Sequence, residues 1–544
     1  ASCHIRHVHV HDESESESTT PEEEEELSNE RLSSSLTTTT TTTTTSGTGA
    51  GAPLVEALSA CASQQGVSSF HFPGHRRGTG APHSLSHLLG HRVFAHDLPE
   101  LPELDNLFNP QAAIANAQQM AASLFGSESS FFLINGSTCG IQAAIMATCS
   151  LGQTLILPRN SHMCAISGMI LSGTRPAYIM PSYDPHWDIA HGIRPDDLSQ
   201  AFANLTTGEG KLKTKVGAVL ITSPTYYGVC SDVRRIAEIC HSYNVPLIVD
   251  EAHGAHFCFH DNLPESAIQQ GADVVVQSTH KVLTSLTQSA MLHVQGDRVN
   301  KDFLAKCLQT LQSSSPSYLL LTSLDASRQQ ASMHGRAGFS RALQYAKELR
   351  DGLSKIKGLK VLEIMNIGFD DAVAVDPLRI TVGIWGLGLS GFEVDEKLRL
   401  EYHVVAELPS LRSITFAISL GTISQDIARL IEAFGSIAEA KSNSWESQSK
   451  VPVCLPTFES WSLSNERWSP RDAFFSLSER VDIELACGRV CCELICPYPP
   501  GIPVLVPGEK ISQGAIDYLK AVLSEGGFIS GASDGSMNTL LVCV

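Results

Sequence analysis

The sequence has no apolar run long enough to cross a bilayer, and its longest apolar stretches have only the length of β-strands. It is also short of positive charge, because 38 Lys and Arg stand against 57 Asp and Glu, which gives a formal net charge of -19. Residues 1–30 hold ten acids and one base, so -9 of this charge lies there and -10 is spread over the rest. A membrane partner and a nucleic-acid partner are therefore not expected.

Regular cysteine spacing is also missing, although the sequence has 15 cysteines. Several of them lie in apolar runs: Cys139, Cys149, Cys240 and Cys543. Such positions are typical of buried free thiols in a reducing compartment. One cluster has no paired C-x-x-C spacing, so neither zinc nor another metal is predicted there: Cys487, Cys491, Cys492 and Cys496. The first residue, Ala1, suggests import into an organelle, for which a plastid is one option, and the cytoplasm is the alternative.

A chain of 544 residues is too long for one compact core, so several domains are expected. Residues 1–52 contain an acidic Ser/Glu run and a threonine homopolymer, which predicts a disordered tail with too little apolar surface to fold. The remaining sequence is divided into an N-terminal helical and loop segment at 53–111, a large domain at 112–375, a small α+β domain at 376–440, a linker at 441–463 and a C-terminal domain at 464–544.

Short apolar runs alternate with helical patterns through the large domain. The runs are Phe131–Ile134, Thr154–Leu157, Ala218–Thr222, Pro246–Val249, Asp273–Gln277 and Ala290–Val294. This alternation predicts an α/β fold, with a mostly parallel sheet and helices on both of its faces. Ligands of such sheets bind outside the carboxyl ends of the strands.

Two polar residues at these carboxyl ends carry the predicted chemistry. Asp250 ends one apolar run, and Lys281 follows the end of the next. A lysine amine can bind an aldehyde and a carboxylate can pair with a pyridinium nitrogen, so the two residues predict a site for pyridoxal 5'-phosphate (PLP). Neighbouring residues offer room for a flat ring and further polar contacts: Ala252, His253, Ser278 and His280. Local sequence also allows a helix N-cap at Asp250 and a surface lysine at Lys281.

Two further loops follow strands of the same sheet. Gly136, Ser137 and Thr138 lie where a strand passes into a helix, and backbone N–H groups at a helix start, with two hydroxyls, suit a phosphate. His162 follows the next strand, where it could stack on a cofactor ring or serve as an ordinary loop histidine.

Seven segments together resemble the fold-type-I Orn/Lys/Arg decarboxylase family. They occur in family order between about residues 70 and 510: His71–His75 with Gly78, Glu103–Leu107, Asn135–Thr138, Arg159–His162, Asp250–His256, Ser278–Lys281 and Pro497–Pro503. The pairing of Ser-x-His-Lys with Asp-Glu-Ala-His is the most specific of these. The sequence is most similar to the shorter, biosynthetic members, many of which act on arginine.

The resemblance implies the aspartate aminotransferase (PLP-dependent transferase-like) fold, smaller α+β C-terminal domains, and a homodimer or higher homo-oligomer with active sites at subunit interfaces. It implies that Lys281 forms the Schiff base with PLP, Asp250 pairs with the pyridinium nitrogen and His162 stacks on the ring. The phosphate contacts are then Ser137, Thr138, Ser278 and His280, and the Pro-Gly-His loop at 73–75 is expected near the site.

The expected reaction is decarboxylation of a basic amino acid to the amine and CO2 for polyamine or diamine synthesis, with arginine favoured over lysine or ornithine. Two alternatives stay open at this point. One is another reaction of the same fold, such as transamination or decarboxylation-coupled oxidation. The other is a non-catalytic regulator that has kept the fold.

Overall fold

The computed structural model describes residues 51–206, 214–367, 372–442, 462–463, 468–498 and 501–544. The predicted tail at 1–52 and linker at 441–463 therefore fall almost wholly outside the described residues. No helix within the described ranges is both long enough and apolar enough to span a bilayer.

The helices are distributed along the whole described chain. They are α1 (Pro53–Ala62), α2 (His83–Leu89), α3 (His91–His96), α4 (Ala113–Phe125), α5 (Gly136–Thr148), α6 (Met163–Ser172), α7 (Pro195–Leu205), α8 (Val233–Ser242), α9 (Thr279–Val282), α10 (Lys301–Leu311), α11 (Tyr318–Leu353), α12 (Gly391–Glu401), α13 (Ser424–Ser442), α14 (Pro470–Phe474) and α15 (Gln513–Ser524). Short 3-10 turns occur at Arg76–Gly78, Pro102–Leu104, Phe257–Phe259, Ile364–Asn366, Trp385–Leu387 and Ile483–Leu485.

The strands group into one large sheet, one small sheet and several pairs. They are β1 (Ser129–Leu133), β2 (Thr154–Pro158), β3 (Arg175–Ile179), β4 (Tyr183–Asp184), β5 (Ile189–Ala190), β6 (Val216–Thr222), β7 (Val229–Ser231), β8 (Leu247–Asp250), β9 (Val274–Gln277), β10 (Ala290–Val294), β11 (Lys360–Val361), β12 (Ala372–Val375), β13 (Arg379–Gly383), β14 (Leu408–Pro409), β15 (Ser413–Ala417), β16 (Ser462–Leu463), β17 (Ser478–Asp482), β18 (Cys496–Pro497), β19 (Lys510–Ile511), β20 (Ile529–Ser530) and β21 (Thr539–Cys543).

The large sheet confirms the predicted mostly parallel arrangement. Its seven strands have the order β1-β10-β9-β8-β6-β2-β3. The pairs β9·β8, β8·β6, β6·β2 and β2·β3 are parallel, and β10 is antiparallel to both of its neighbours. All six predicted strands form, and none of their ends is shifted by more than two residues. The predictions missed β3, an edge strand whose Pro176 would not be tolerated at the centre of a sheet.

Helices cover both faces of this sheet, as the alternation of the sequence predicted. Leu155 packs in a cluster with residues of α5, α6 and α10, whereas the next residue, Ile156, packs with residues of α7 and α8. Successive side chains of a strand point to opposite faces, so one buried strand contributes to both clusters. The sheet is thereby fixed between two apolar layers, which leaves the ends of its strands as the place for polar side chains.

The small sheet follows the long helix α11 and has the antiparallel order β11-β13-β15-β14. Its first strand, β11, lies before residue 376, so the predicted small domain at 376–440 leaves out one strand of this sheet. The short β11 gave no apolar run long enough to be recognised. The side chains of β13 and β15 share a core with those of α1, α4 and α11.

The C-terminal unit is built on antiparallel strand pairs, β17·β21 and β18·β20, around α15. A third pair joins β19 to β16, whose residues Ser462–Leu463 lie within the predicted linker. The four cysteines predicted to be buried free thiols, Cys139, Cys149, Cys240 and Cys543, are confirmed as such.

Candidate active site

One cavity at the carboxyl edge of the large sheet brings together six of the predicted site residues. Its wall includes Ser137, His162, Asp250, Ala252, His253 and Lys281. The remaining wall residues are Asn160, Ala190, Thr222, Thr225, Tyr226, Tyr227 and Ile502. The six converge because the parallel strands β1, β2, β8 and β9 all end at this edge, which is where ligands of such sheets bind.

Lys281 lies on the single turn α9, directly after β9, and its amine points into the cavity. Its Nζ is 3.0 Å from Nε2 of His253 and 5.6 Å from the centre of the Tyr226 ring. Burial lowers the pKa of Lys281, the nearby Asp250 raises it and Arg379 lowers it, with a net shift below the usual range. A desolvated amine of this kind is suited to nucleophilic attack on a carbonyl group.

Asp250 ends β8 and is 6% exposed. One of its oxygens accepts a hydrogen bond from the backbone N–H of Ala252 at 3.1 Å. Burial raises the pKa of Asp250, and the nearby Lys281 opposes that shift. An ionised carboxylate at this position gains from a cation in the cavity, and the protonated ring nitrogen of PLP is such a cation.

The cavity wall also has a polar atom that lacks a partner. The hydroxyl oxygen of Thr222, at the end of β6, is buried and forms no hydrogen bond with any described residue. Buried hydroxyls rarely stay unpaired in native proteins, so this oxygen is consistent with a polar ligand in the cavity. Together with Asp250, Thr222 makes the donor and acceptor set of the cavity fit a cofactor like PLP.

The predicted phosphate contacts lie at the start of α5. The backbone of Gly136 has φ +77°, a conformation that glycine adopts readily, and Gly136 is the first residue of a 13-residue helix. The hydroxyl of Ser278 donates to that of Ser137 at 2.8 Å, which links the two segments predicted to contact the phosphate. Free N–H groups at the start of a helix of this length attract an anion.

Four predicted residues stand beside the cavity wall rather than in it: Gly136, Thr138, Ser278 and His280. Thr138 is exposed in the single chain, one residue beyond Ser137. His280 donates from Nδ1 to the carbonyl of Ser289 at 2.9 Å, and burial lowers its pKa. The neutral ring of His280 therefore keeps Nε2 as a hydrogen-bond acceptor.

His162 occupies the N-cap of α6 and faces the cavity from the side of β2. Its Nδ1 accepts from the backbone N–H of Cys164 at 3.2 Å. Burial, with a smaller effect of Lys281, lowers the pKa of His162 to about 4, so the ring is neutral at physiological pH. A neutral imidazole can stack on an aromatic cofactor without bringing a charge.

The C-terminal unit closes the cavity next to His162. The carbonyl of Gly501 accepts from the backbone N–H of Met163 at 3.0 Å, and a Cβ on Gly501 would lie only 2.9 Å from Nε2 of His162. The neighbouring Ile502 is part of the cavity wall. The predicted extended run at 497–503 is thus in contact with the site, although residues 499–500 lie outside the described residues.

Arg159 holds this C-terminal segment in place. Its guanidinium contacts both oxygens of Glu509, at 2.8 and 3.1 Å, and donates to the carbonyl oxygens of Pro503 and Val504. Arg159 is 3% exposed, so this bidentate ion pair is screened from water. The segment Arg159–His162 therefore contributes a structural clamp at its first residue and a cavity residue at its last.

Sequence reasoning missed several residues near the cavity. Thr225, Tyr226 and Tyr227 follow β6, and the rule that sites form at carboxyl ends of strands could have found them. Tyr226 donates to Glu407 at 3.1 Å, and Arg379 donates to Nδ1 of His253 at 2.7 Å. Arg379 and Glu407 come from the small sheet and the segment before β14, so no local signal connects them with the large sheet.

The Pro-Gly-His loop at 73–75 does not line the cavity of its own chain. His75 instead contacts Asp97, with 3.1 Å between Nε2 and Oδ2. Two aromatic side chains next to the loop are almost fully exposed, Phe70 at 90% and Phe72 at 85%.

Comparisons with known proteins extend these observations. The sequence model of the family "Orn/Lys/Arg decarboxylase, major domain" matches residues 52–423. The sequence model of the C-terminal domain of the same family matches residues 458–527. The chain is 35% identical to an arginine decarboxylase of Bacillus subtilis and 34% identical to one of Bacillus anthracis, in both cases over 90% of this chain and 97% of the other. Among solved structures, the lysine decarboxylase LdcF of Francisella novicida superposes with a TM-score of 0.76 at 22% identity, covering 90% of this chain and 80% of that one.

Proposed function

The chain belongs to the Orn/Lys/Arg decarboxylase family, and from this premise we propose that it decarboxylates arginine in the cavity around Lys281. Membership makes the chain a PLP-dependent decarboxylase of basic amino acids and confirms the expected fold and reaction class. The observation that supports this cavity is the convergence of Lys281, Asp250 and His162 at one edge of the large sheet. The choice of arginine and a role in polyamine synthesis are the finer parts of the proposal.

The residues of the cavity would hold PLP at each of its ends. Lys281 would bind the aldehyde carbon, Asp250 would pair with the ring nitrogen and His162 would lie against the ring. The phosphate would be bound by the start of α5 and the residues around it: Gly136, Ser137, Thr138, Ser278 and His280. Ala252 and His253 complete the predicted contacts. When bound, PLP supplies the electron sink that accepts the electron pair left by CO2.

The side chains of the cavity would stabilise a positive charge and transfer a proton. Burial of the cavity keeps bulk water away, which strengthens the interaction of Asp250 with a cation. The Nζ of Lys281 and the Nε2 of His253 lie 3.0 Å apart in the cavity wall, and these two groups are the proposed donors of the proton that Cα takes up after CO2 leaves.

A cationic substrate suits the acidic side chain near the cavity. Glu407 accepts from Tyr226, raises the pKa of Lys281 and is exposed enough to meet a charged head group. A planar guanidinium can pair with a carboxylate through two hydrogen bonds, which an ammonium cannot do. The names of the relatives at 35% and 34% identity support arginine as well.

The oligomeric state belongs to the same proposal. A homodimer or larger assembly would cover the exposed Phe70 and Phe72 and bring the loop at 73–75 to the cavity of a second chain. The exposed position of Thr138 fits an active site completed at a subunit interface.

The experiment that tests the function is amine production by the purified protein with PLP, given arginine, ornithine and lysine separately. We expect agmatine from arginine, with little putrescine or cadaverine from the other two. A different single amine would overturn the choice of arginine. The variant Lys281→Ala is the matched control, and turnover by this variant would contradict the role of Lys281.

A further inference from the structure

The amine of Lys281 is the last member of a buried row of three side chains. The Nη2 of Arg379 lies 2.7 Å from Nδ1 of His253, and Nε2 of the same imidazole lies 3.0 Å from Nζ of Lys281. Arg379 is 3% exposed and His253 is 4% exposed. Water therefore does not replace either contact, and the protons must be distributed among these three groups.

The hydrogen-bonding capacity of each group allows only one arrangement of a neutral His253. A guanidinium has donors and no acceptor, so Nδ1 of His253 must present its lone pair to Arg379. The proton of the neutral imidazole then sits on Nε2, which donates to Lys281. Nζ of Lys281 can accept this hydrogen bond only when it is an uncharged amine. An ammonium at Lys281 would instead place two donors against each other.

We propose that Arg379 is a positioning residue that holds His253 in the Nε2–H tautomer and thereby keeps Lys281 as a neutral amine. Arg379 itself need not touch the reacting atoms. Its effect passes through the imidazole, in the way that a hydrogen bond to one ring nitrogen sets the state of the other. The inference rests on the proposed role of Lys281 and adds the residue that prepares it.

The position of Arg379 is well fixed by the small sheet. It is the first residue of β13, pairs with Ala417 of β15 and donates its backbone N–H to the carbonyl of Asp376 at 3.1 Å. Gly228, at φ +89°, packs so closely that a Cβ there would lie 2.8 Å from Cβ of Arg379. A side chain held on a strand in this way can define a tautomer, because it has little freedom to move aside.

The surroundings of Lys281 shift its pKa in opposite directions. Burial and Arg379 lower its pKa, whereas Asp250, Glu407 and the thiol of Cys164 raise it. The other titratable groups that face it are His162, His253, His280 and Tyr226. Burial lowers the pKa of His253 well below its usual value, which leaves a neutral ring whose tautomer Arg379 selects.

The pKa of Lys281 determines the pH range in which its amine is reactive. Only the neutral amine attacks an aldehyde, so the reactive fraction of Lys281 falls as the pH drops below its pKa. Without the donor at position 379, His253 can move its proton to Nδ1 and accept from a Lys281 ammonium. The charged form gains a hydrogen bond, the pKa rises and the pH range of reactivity shifts upward.

The test measures the reactivity of Lys281 without using catalysis. The full chain, freed of cofactor, is acetylated with isotope-labelled acetic anhydride between pH 5 and 11, and the Lys281 peptide is quantified by mass spectrometry against the exposed Lys347. For Arg379→Met we expect the midpoint of Lys281 to rise by about one pH unit or more, which is about a tenfold loss of reactivity at neutral pH. Arg379→Gln keeps an N–H donor without the charge, so its midpoint should lie close to that of the unaltered chain.

The variants separate the hydrogen bond from the charge. An unchanged midpoint in Arg379→Met, or equal shifts in the Met and Gln variants, would overturn the proposal. In a His253→Phe background the two substitutions should have equal effects, because the imidazole that carries the coupling is gone. If Arg379→Met does not fold, His253→Phe alone must raise the midpoint. Failure of the unaltered chain to bind PLP would contradict only the proposed function, since the labelling uses no cofactor.

Discussion

At the scale of single residues, the carboxylate of Asp250 lies where water cannot solvate it. Its hydrogen bond from Ala252 satisfies one oxygen, and burial raises the pKa of the carboxyl group. A cation in the cavity would stabilise the ionised form of this carboxylate. In the proposed function, this aspartate would pair with a protonated ring nitrogen and, by the same interaction, would keep that nitrogen protonated.

The substitution Asp250→Asn tests this interaction, because it keeps the shape of the side chain and removes its charge. We expect kcat to fall by about 100-fold or more, as when an active-site group that stabilises charge is removed. The melting temperature should change little or increase, since a buried carboxylate is replaced by a neutral amide. Steady-state kinetics and a melting curve check the two parts, and a kcat equal to that of the unaltered chain would exclude the pairing role.

The residues that were predicted from the sequence and those that were missed differ in one physical respect. Ser137, His162, Asp250 and Lys281 lie at the ends of strands of one sheet or shortly after them, so strand order alone brings them together. Arg379 reaches His253 from another sheet, and its position depends on how the two sheets pack. No pattern within β13 carries that information, so such contacts become visible only in three dimensions.

At the scale of structural elements, a buried ion pair is among the contacts that join the C-terminal unit to the large sheet. Arg159 comes directly after β2, and Glu509 comes directly before β19. The same guanidinium binds backbone carbonyls next to Ile502, which lines the cavity. The shape of the cavity therefore depends on a contact outside it.

Removing one partner of this pair should be costly. In Arg159→Met the carboxylate of Glu509 stays buried without its cation, and we expect a loss of about 3–5 kcal/mol in the free energy of unfolding. Hydrogen exchange should increase over residues 501–511, and KM should rise because Ile502 shifts. Denaturant unfolding and exchange mass spectrometry measure these effects.

A matched control for this variant is Arg234→Met, which breaks the exposed pair between Arg234 and Glu265. Its effect should be small, because solvent screens exposed ion pairs. If the two variants were equally stable, the Arg159 pair would not be the contact that holds the C-terminal unit.

The elements themselves were largely predictable, because buried strands of a parallel sheet appear as continuous apolar runs. The antiparallel direction of β10 was not, since an apolar run has no direction of its own. Short strands such as β11, with two residues, carry too little pattern to be recognised. These elements owe their structure to pairing with longer neighbours rather than to their own sequence.

At the scale of the whole molecule, the segment around residues 70–89 exposes several large apolar side chains, which is unusual for a protein surface. Phe70 and Phe72 are almost fully exposed, and Leu88 is 76% exposed on α2. Monomeric proteins rarely expose several large apolar side chains close together in sequence. A second copy of the chain that covers this segment would remove the exposure and bring the loop at 73–75 to the neighbouring cavity.

This arrangement predicts that two inactive variants restore activity when they are mixed. Phe72→Ser should disable the loop that one chain lends to the other, and Lys281→Ala should disable the cavity itself. After mixing and subunit exchange, half of the dimers combine the two variants, and each of these has one intact loop facing one intact cavity. We therefore expect about a quarter of the unaltered activity, as the two-fold symmetry of such a dimer requires. Native mass spectrometry must show the mixed dimers, and if they form without any recovery, the loop acts only within its own chain.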